Sequence, residues 1–431
     1  MINKTTAREI IDTSINEIKN KRIVHREEVG TLKEYLDYKH IVTISGVRRC
    51  GKTYLLFQMI KMLIGEGKNA IYINFEDPRF NDSVEQLDVL YKTFLEYADK
   101  EGRIYFFLDE VQNIKKWEKW LAAMYEKNIK FFVSGSNASF LTGEFSKSLA
   151  GRHKLVSIYP LSFKQFVFFK DSSLMDEKKW YVTEEMSKIK KLLSEYCHYG
   201  GFPEVIFNGR KDILSGYFGD ILTKDIISRY NIKFKQSLKE LAVFLLTNIS
   251  SSHSLYSLNK TVQARSINTI KNYLMFLEDA YLLIKLPFFS FSLRRQLANP
   301  FKVYSIDVGM RNAVSFRFNE DTGKIYENLV AIELVKKFGK GNIFYWKSSK
   351  HEEVDFAIKK GLKIDKLIQV CYSLDNPEVK KREIKALLKA SREFKCNALF
   401  VITDEYESRD NLNGTTVEFI PLWKWLIQAS I

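Results

Sequence analysis

Residues 40–64 read HIVTISGVRRCGKTYLLFQMIKMLI. A short apolar run comes first, then Gly46-Val47-Arg48-Arg49-Cys50-Gly51-Lys52-Thr53, then a helix-length amphipathic segment. The loop fits GxxxxGK[ST], and its setting between strand and helix points its amides at phosphate from a helix N-terminus. Gly46 and Gly51 let the backbone wrap closely without a Cβ clash. Lys52 reaches the β- and γ-phosphates, and the Thr53 hydroxyl completes a magnesium shell. The expected ATP-binding residues are therefore Gly46, Val47, Arg48, Arg49, Cys50, Gly51, Lys52, Thr53 and Tyr54, with Mg2+ as the second cofactor.

Outward from this loop, β-rich runs alternate with amphipathic helices: AIYINF (70–75), RIYFFL (103–108), IKFFVSG (129–135) and HKLVSIYPL (153–161). Near-continuous apolar strands separated by helices predict a parallel sheet covered on both faces, an α/β domain. RIYFFL ends in Asp109-Glu110, where an open sheet places its ligand crevice. Asp109 is expected to hold magnesium and Glu110 to act as base on water; two carboxylates capping the next helix are the alternative. IKFFVSG ends in Ser134-Gly135-Ser136-Asn137. Ser136 and Asn137 are equally placed to face the γ-phosphate, and a simple turn is the competing account. Arg152, in LAGRH, is either an arginine finger for a neighbouring subunit or a surface side chain ordering a turn.

Together, GVRRCGKT, LDEVQNI, VSGSN and LAGRH resemble the archaeal and bacterial AAA+-type ATPases with a DEXQ segment, and the resemblance spans about residues 25–425. YGGFPEVIF and FGDILTKDIISRY are similar to the helical lid of that family. The resemblance implies a P-loop NTPase core with N-terminal lead-in (1–162), a helical lid (163–232), a winged helix-turn-helix (233–318) and a restriction-endonuclease-like α/β domain (319–431). It also implies that Gln112 faces the γ-phosphate and that Arg229 contacts nucleotide from the lid.

The order helix, short helix, helix, hairpin over 235–318 independently reads as a winged helix. Its helix from Arg265 offers Arg265, Ser266, Asn268, Thr269 and Lys271 to a nucleic-acid groove and turns Ile267, Ile270, Tyr273, Leu274 and Leu277 inward. Lys285, Arg294 and Arg295 are placed on or near the wing. In the last domain, Glu327, Asp355 and Gln369 occupy the metal-binding places of a nuclease-like site. Cys371 stands where a lysine is expected; Lys347, at the end of the preceding strand, is a candidate to replace it in space, which the sequence does not settle. Cys supplies no cation and Gln is a weak magnesium ligand, so cleavage is in doubt.

Lys plus Arg number 67 against 52 acidic residues, a formal charge of +15. That excess favours a polyanion, and DNA is the expected partner. Four scattered cysteines, a polar N-terminus and no membrane-length apolar run predict a cytoplasmic protein with no membrane partner. A homo-oligomer with Arg152 acting in trans is one assembly that the sequence leaves open. Three functions stay open: an ATP-driven protein acting on DNA, an ATP-dependent nuclease, and a nucleotide-switched interaction scaffold.

Overall fold

The computed structural model describes residues 2–21, 23–99, 102–136, 149–210, 212–316, 321–412 and 414–428. The chain divides into two compact units, Met1–Ile158 and Tyr159–Ile431.

In the first unit, β1 (Ile41–Gly46), β2 (Asn69–Asn74), β3 (Ile104–Asp109), β4 (Ile129–Gly135) and β5 (His153–Ile158) form a parallel sheet in the order β2-β3-β4-β1-β5. β1, β3 and β4 are buried along their whole length. β-branched and aromatic side chains with helices on both faces produce that pattern. The parallel register aligns the carboxyl ends: Ile44 pairs with Ser134, and Asn74 with Asp109. The loop after β1 and the acidic end of β3 thereby open on the same edge of the sheet.

The N-terminal lead-in is an integral layer. Asn3 caps the helix Lys4–Asn20 by accepting from the Thr6 amide at 2.8 Å. Its buried stripe of Ala7, Ile10 and Ile11 joins the core of Ile71, Phe106 and Phe131. Burying Ile10 and Ile11 contributes about 2 kcal/mol each relative to exposure.

The second unit begins with helices Phe163–Lys170, Thr183–Tyr199, Pro203–Asn208 and Ile213–Asp220, the last continuing as a π-helical stretch, Ile221–Ser228. The helix Lys235–Thr247, the two-residue strand β6 (Ser252–His253) and the helices Leu255–Val262 and Ile267–Asp279 follow. The hairpin β7 (Leu283–Pro287) and β8 (Phe301–Ser305) completes an antiparallel sheet in the order β6-β8-β7. The helix Thr322–Phe338 leads into β9 (Ile343–Lys347), β10 (Glu353–Lys360), β11 (Lys363–Val370), β12 (Leu399–Thr403), β13 (Ser408–Leu412) and β14 (Thr415–Pro421). These form a mixed sheet in the order β13-β14-β12-β11-β10-β9, with the helix Pro377–Phe394 packed on β10 and β11.

The Gly200-Gly201 pair has a packing role. The Asp307 carboxylate accepts from the Gly201 amide at 2.6 Å and from the Met310 amide at 2.8 Å, capping the helix Val308–Val314. A Cβ at Gly201 would lie 2.2 Å from the Leu161 carbonyl oxygen, and one at Gly200 would lie 2.3 Å from the Asp307 carboxylate. Burial pushes Asp307 up to about 6, against the downward pull of those amides. The first helices are thus tied to the segment after β8. Among the described residues no helix is long and apolar enough to cross a membrane.

Candidate active site

The loop after β1 turns through Arg49 and Gly51 in left-handed conformations, at φ 65° and 101°. A Cβ on Gly46 would stand 2.1 Å from the Ile158 carbonyl oxygen at the end of β5. Only glycine lets the two backbones approach this closely. Val47 and Cys50 are buried and anchor the loop, and burial raises the Cys50 thiol. The helix Lys52–Gly65 starts directly from the loop, so its unpaired amides face the mouth of the turn. Lys52 Nζ donates to the Gly46 and Val47 carbonyls at 3.0 and 3.2 Å, which holds the ammonium inside the loop. Arg48 faces Glu76 at 3.7 Å, and Tyr54 is exposed on the first turn.

Asp109 is almost fully buried. Its Oδ2 accepts from the Thr53 hydroxyl at 2.7 Å and the Tyr72 hydroxyl at 2.8 Å, and its Oδ1 accepts from Ser134. The strand-end carboxylate and the hydroxyl that follows the loop lysine are therefore adjacent. Two hard oxygen donors side by side, next to a phosphate-binding loop, fit magnesium, which prefers a few protein oxygens together with phosphate. Glu110 follows in a left-handed conformation at φ 52° that costs on the order of 1 kcal/mol. Its amide donates to Ser134 Oγ at 3.3 Å, and its carboxylate accepts from Gln112. Burial raises the Glu110 carboxyl, Lys52 pulls it down and Asp109 pushes it up, for a net rise. A carboxylate moved up toward neutrality is a better general base. Among the described residues, Gln112 Oε1 is buried without a hydrogen-bond partner.

Most of the residues expected from sequence meet here, with revisions. The β4 side chain in contact with Asp109 is Ser134. Ser136 is buried just beyond the strand, and Asn137 lies outside the described residues. Spacing along the sequence does not single out Tyr72 or Ser134. Aligning the strand ends reveals Ser134, because Leu108 pairs with Val133 and the next residues are Asp109 and Ser134. Tyr72 gives no such signal, since an aromatic in a strand ordinarily reads as core. Arg152 precedes β5, and its carbonyl accepts from Ile41 at the opening of β1, at the opposite end of the sheet from the loop. Its guanidinium lies over the Tyr125 ring at 5.2 Å. Arg229 belongs to the other unit and is exposed.

Parallel sheet, loop and acidic strand end together define a P-loop AAA+ domain, and the family model described as "AAA domain" matches residues 38–167. Models of domains of unknown function match 190–321 (DUF8612) and 322–425 (DUF4143). An uncharacterized protein of Methanocaldococcus jannaschii, MJ1544, is 35% identical over 97% of this chain and 94% of its own length. An uncharacterized protein of Haemophilus influenzae is 30% identical over 95% of this chain and 100% of its own. The chain belongs to the family of these full-length relatives. Among solved structures, Aeropyrum pernix ORC1 in complex with DNA is 13% identical over 69% of this chain and 95% of its own, at TM-score 0.30. AMPPCP-bound DnaA from Aquifex aeolicus is 17% identical over 60% and 90%, at TM-score 0.27.

The nuclease-like positions of the second unit are arranged differently from expectation. Glu327 and Asp355 do approach one another, but Lys302 of β8 stands between them. Its Nζ lies 2.9 Å from Glu327, 2.9 Å from Asp355 and 2.7 Å from Glu353. Burial alone would lower the Lys302 ammonium; Asp355, Glu327, Tyr304 and Glu353 outweigh it and hold it well above its ordinary value. Gln369 is hydrogen-bonded to other groups: its Oε1 accepts from the Asp355 amide and its Nε2 donates to Glu383 at 2.7 Å. Cys371 is buried, with its thiol against the Ser373 carbonyl and pushed up to about 11 by burial. Lys347 pairs with Glu353 at 3.3 Å. Of the expected set, Glu327 and Asp355 both meet the Lys302 ammonium, and Gln369 is hydrogen-bonded to the Asp355 amide and Glu383. Among the described residues no group of three His, Cys, Asp or Glu side chains is arranged for a metal ion. The cation is missed in sequence because it comes from a different substructure.

Arg265, just before the helix Ile267–Asp279, and Asn268 and Lys271 on it are exposed as expected, while Ile270, Tyr273, Leu274 and Leu277 pack inward. Ile267 corrects the expectation: it is exposed at the first helical position, because Ser266 caps the helix and the chain enters from the solvent side. The segment between β7 and β8 carries exposed Arg294 and Arg295 beside exposed Phe291, Leu293 and Leu297.

Proposed function

We propose that this protein hydrolyses ATP with Mg2+ in the first unit and couples turnover to DNA held by the second. The carrying observation is the adjacency of Thr53, Asp109 and Glu110 at the mouth of the loop. The loop amides from Val47 to Thr53 and the Lys52 ammonium would take the phosphate oxygens. Thr53 and Asp109 would hold magnesium, which neutralises charge developing on the transferred group. Glu110 accepts a proton from water as its oxygen bonds to the γ-phosphorus and the bond to the β,γ-bridging oxygen breaks, giving ADP and phosphate. Gln112, fixed on the Glu110 carboxylate, orients that base. A role for Arg152 belongs to a neighbouring subunit's site, given its place at the far end of its own sheet.

The DNA reading rests on the +15 charge and on the second unit's helix, strand, helix, helix and hairpin with sheet order β6-β8-β7, the arrangement of a winged helix. Asn268 and Lys271 would face a groove, and Arg265, Arg294 and Arg295 would meet phosphate. ATP turnover measured with and without single-stranded, duplex and branched DNA tests the coupling. Stimulation that falls with salt supports it, and equal rates in every arm count against it. One observation favours a second reading, a nucleotide-switched interaction module: Phe291, Leu293 and Leu297 are 77%, 66% and 76% exposed on the wing. Arg294→Glu with Arg295→Glu abolishes stimulation in the DNA reading, whereas Phe291→Ser with Leu297→Ser is the damaging pair in the other.

A further inference from the structure

We infer that the Lys302 ammonium takes the place of a divalent cation in the carboxylate cluster of the C-terminal domain, closing that site to metal and fastening the β7–β8 hairpin to it. Three carboxylates from two elements converge on one nitrogen. Glu327 stands on the helix Thr322–Phe338, and Glu353 and Asp355 are two residues apart on β10, so they share a face of the sheet. Lys302 reaches them from β8 and is only 2% exposed. An ammonium has three N–H donors, and the three carboxylates lie 2.7, 2.9 and 2.9 Å from it. These are charge-assisted hydrogen-bond lengths, longer than the roughly 2.0–2.6 Å of magnesium or calcium to oxygen.

Further donors bind the same carboxylates. The Tyr304 hydroxyl, on the same face of β8 as Lys302, donates to the Glu327 oxygen that Lys302 also contacts, at 2.7 Å. The Val370 amide donates to Asp355 Oδ2 at 3.0 Å. Lys347 approaches the outer oxygen of Glu353. Carboxylates gathered in a desolvated site repel one another and need a cation there. A tethered ammonium supplies it without exchange with solution or removal by chelators. The same side chain joins two substructures, because its backbone belongs to the three-stranded sheet and its charge is satisfied by the six-stranded one. A nuclease-like cluster so filled has no room for a Lewis acid at a scissile phosphate, and the domain serves as a metal-independent binding or scaffolding element.

The test uses the full chain, free of nucleotide. Wild type is expected to unfold at the same temperature in EDTA, magnesium, calcium and manganese. Lys302→Ala lowers the midpoint by about 5 °C or more, and millimolar calcium or manganese restores at least half of the loss. The double variant Lys302→Ala with Asp355→Asn is not restored. A Lys302→Ala midpoint indifferent to every cation would falsify the substitution of ammonium for metal. Manganese titration of wild type, followed by electron paramagnetic resonance, needs no Lys302 variant. A bound ion that disappears in Asp355→Asn overturns the inference, and none bound there supports it. Lys302→Gln replaces Lys302→Ala should the latter fail to fold, and is read in the same way.

Discussion

The phosphate loop and the C-terminal carboxylate cluster contain the same ingredients, a buried lysine and strand-borne acids, in opposite pairing. In the first unit the Lys52 ammonium is held by the neutral carbonyls of Gly46 and Val47, and Asp109 is held by the hydroxyls of Thr53, Tyr72 and Ser134. Each is hydrogen-bonded to neutral groups rather than to the other, which leaves both beside the mouth of the loop. In the second unit Lys302 is spent on Glu327, Glu353 and Asp355 directly. Pairing converts a site into a strut. Which partners a lysine has, rather than its presence in a motif, decides between chemistry and architecture.

The sharpest way to break this comparison is to remove each lysine. Lys52→Ala is expected to lower ATP turnover by about 10³-fold, an electrostatic loss at the transferred phosphate, while leaving the unfolding midpoint within about 1 kcal/mol of wild type. A steady-state ATPase assay beside thermal unfolding reads both. Lys302→Ala should do the reverse: basal turnover persists while the second unit loses about 3–5 kcal/mol, the cost of leaving buried carboxylates unpaired. Denaturant midpoints measure that loss, and equal effects of the two variants on both assays would erase the distinction.

Glu110→Gln sharpens the functional side. The amide cannot take a proton, so turnover drops by about 10²-fold while ATP binding is kept, as checked by equilibrium binding of a fluorescent nucleotide. A variant that loses binding as well would place Glu110 in the cradle rather than in the chemistry.

The smallest expected effect is a pH dependence at Asp307. Its folded value, near 6, lies above the roughly 3.9 of an unfolded aspartate, so the native state holds the extra proton between them. Its contribution to stability is complete below about pH 4 and is lost as pH rises through about 6. The difference in unfolding free energy between wild type and Asp307→Asn should change over that window and level off above it. A difference constant from pH 4 to 7 would show that the carboxyl is not desolvated by the Gly200-Gly201 contact.

Much of the first unit is legible in sequence because its information is local. GVRRCGKT specifies a turn and a helix start, and RIYFFLDE specifies an apolar strand with acids at its end, so Lys52, Thr53, Asp109 and Glu110 can be named by spacing. Ser134 is within reach when the strand ends are aligned, whereas Tyr72 reads as ordinary core. Farther along, the exposed Ile267 shows the limit of periodicity at a helix's first turn, where the direction of chain entry outranks the 3.6-residue repeat.

The sequence by itself determined the strand–loop–helix nucleotide motif, the α/β alternation and the excess of positive charge, all written in neighbouring residues. Only the tertiary structure decided what the C-terminal acids do. Lys302 is 25 residues from Glu327 and 53 from Asp355, on a hairpin that reads as part of another substructure. Coulomb attraction in a dry interior acts across space, without regard to separation along the chain, and here it joins a β8 lysine to acids that sequence had set aside for a metal.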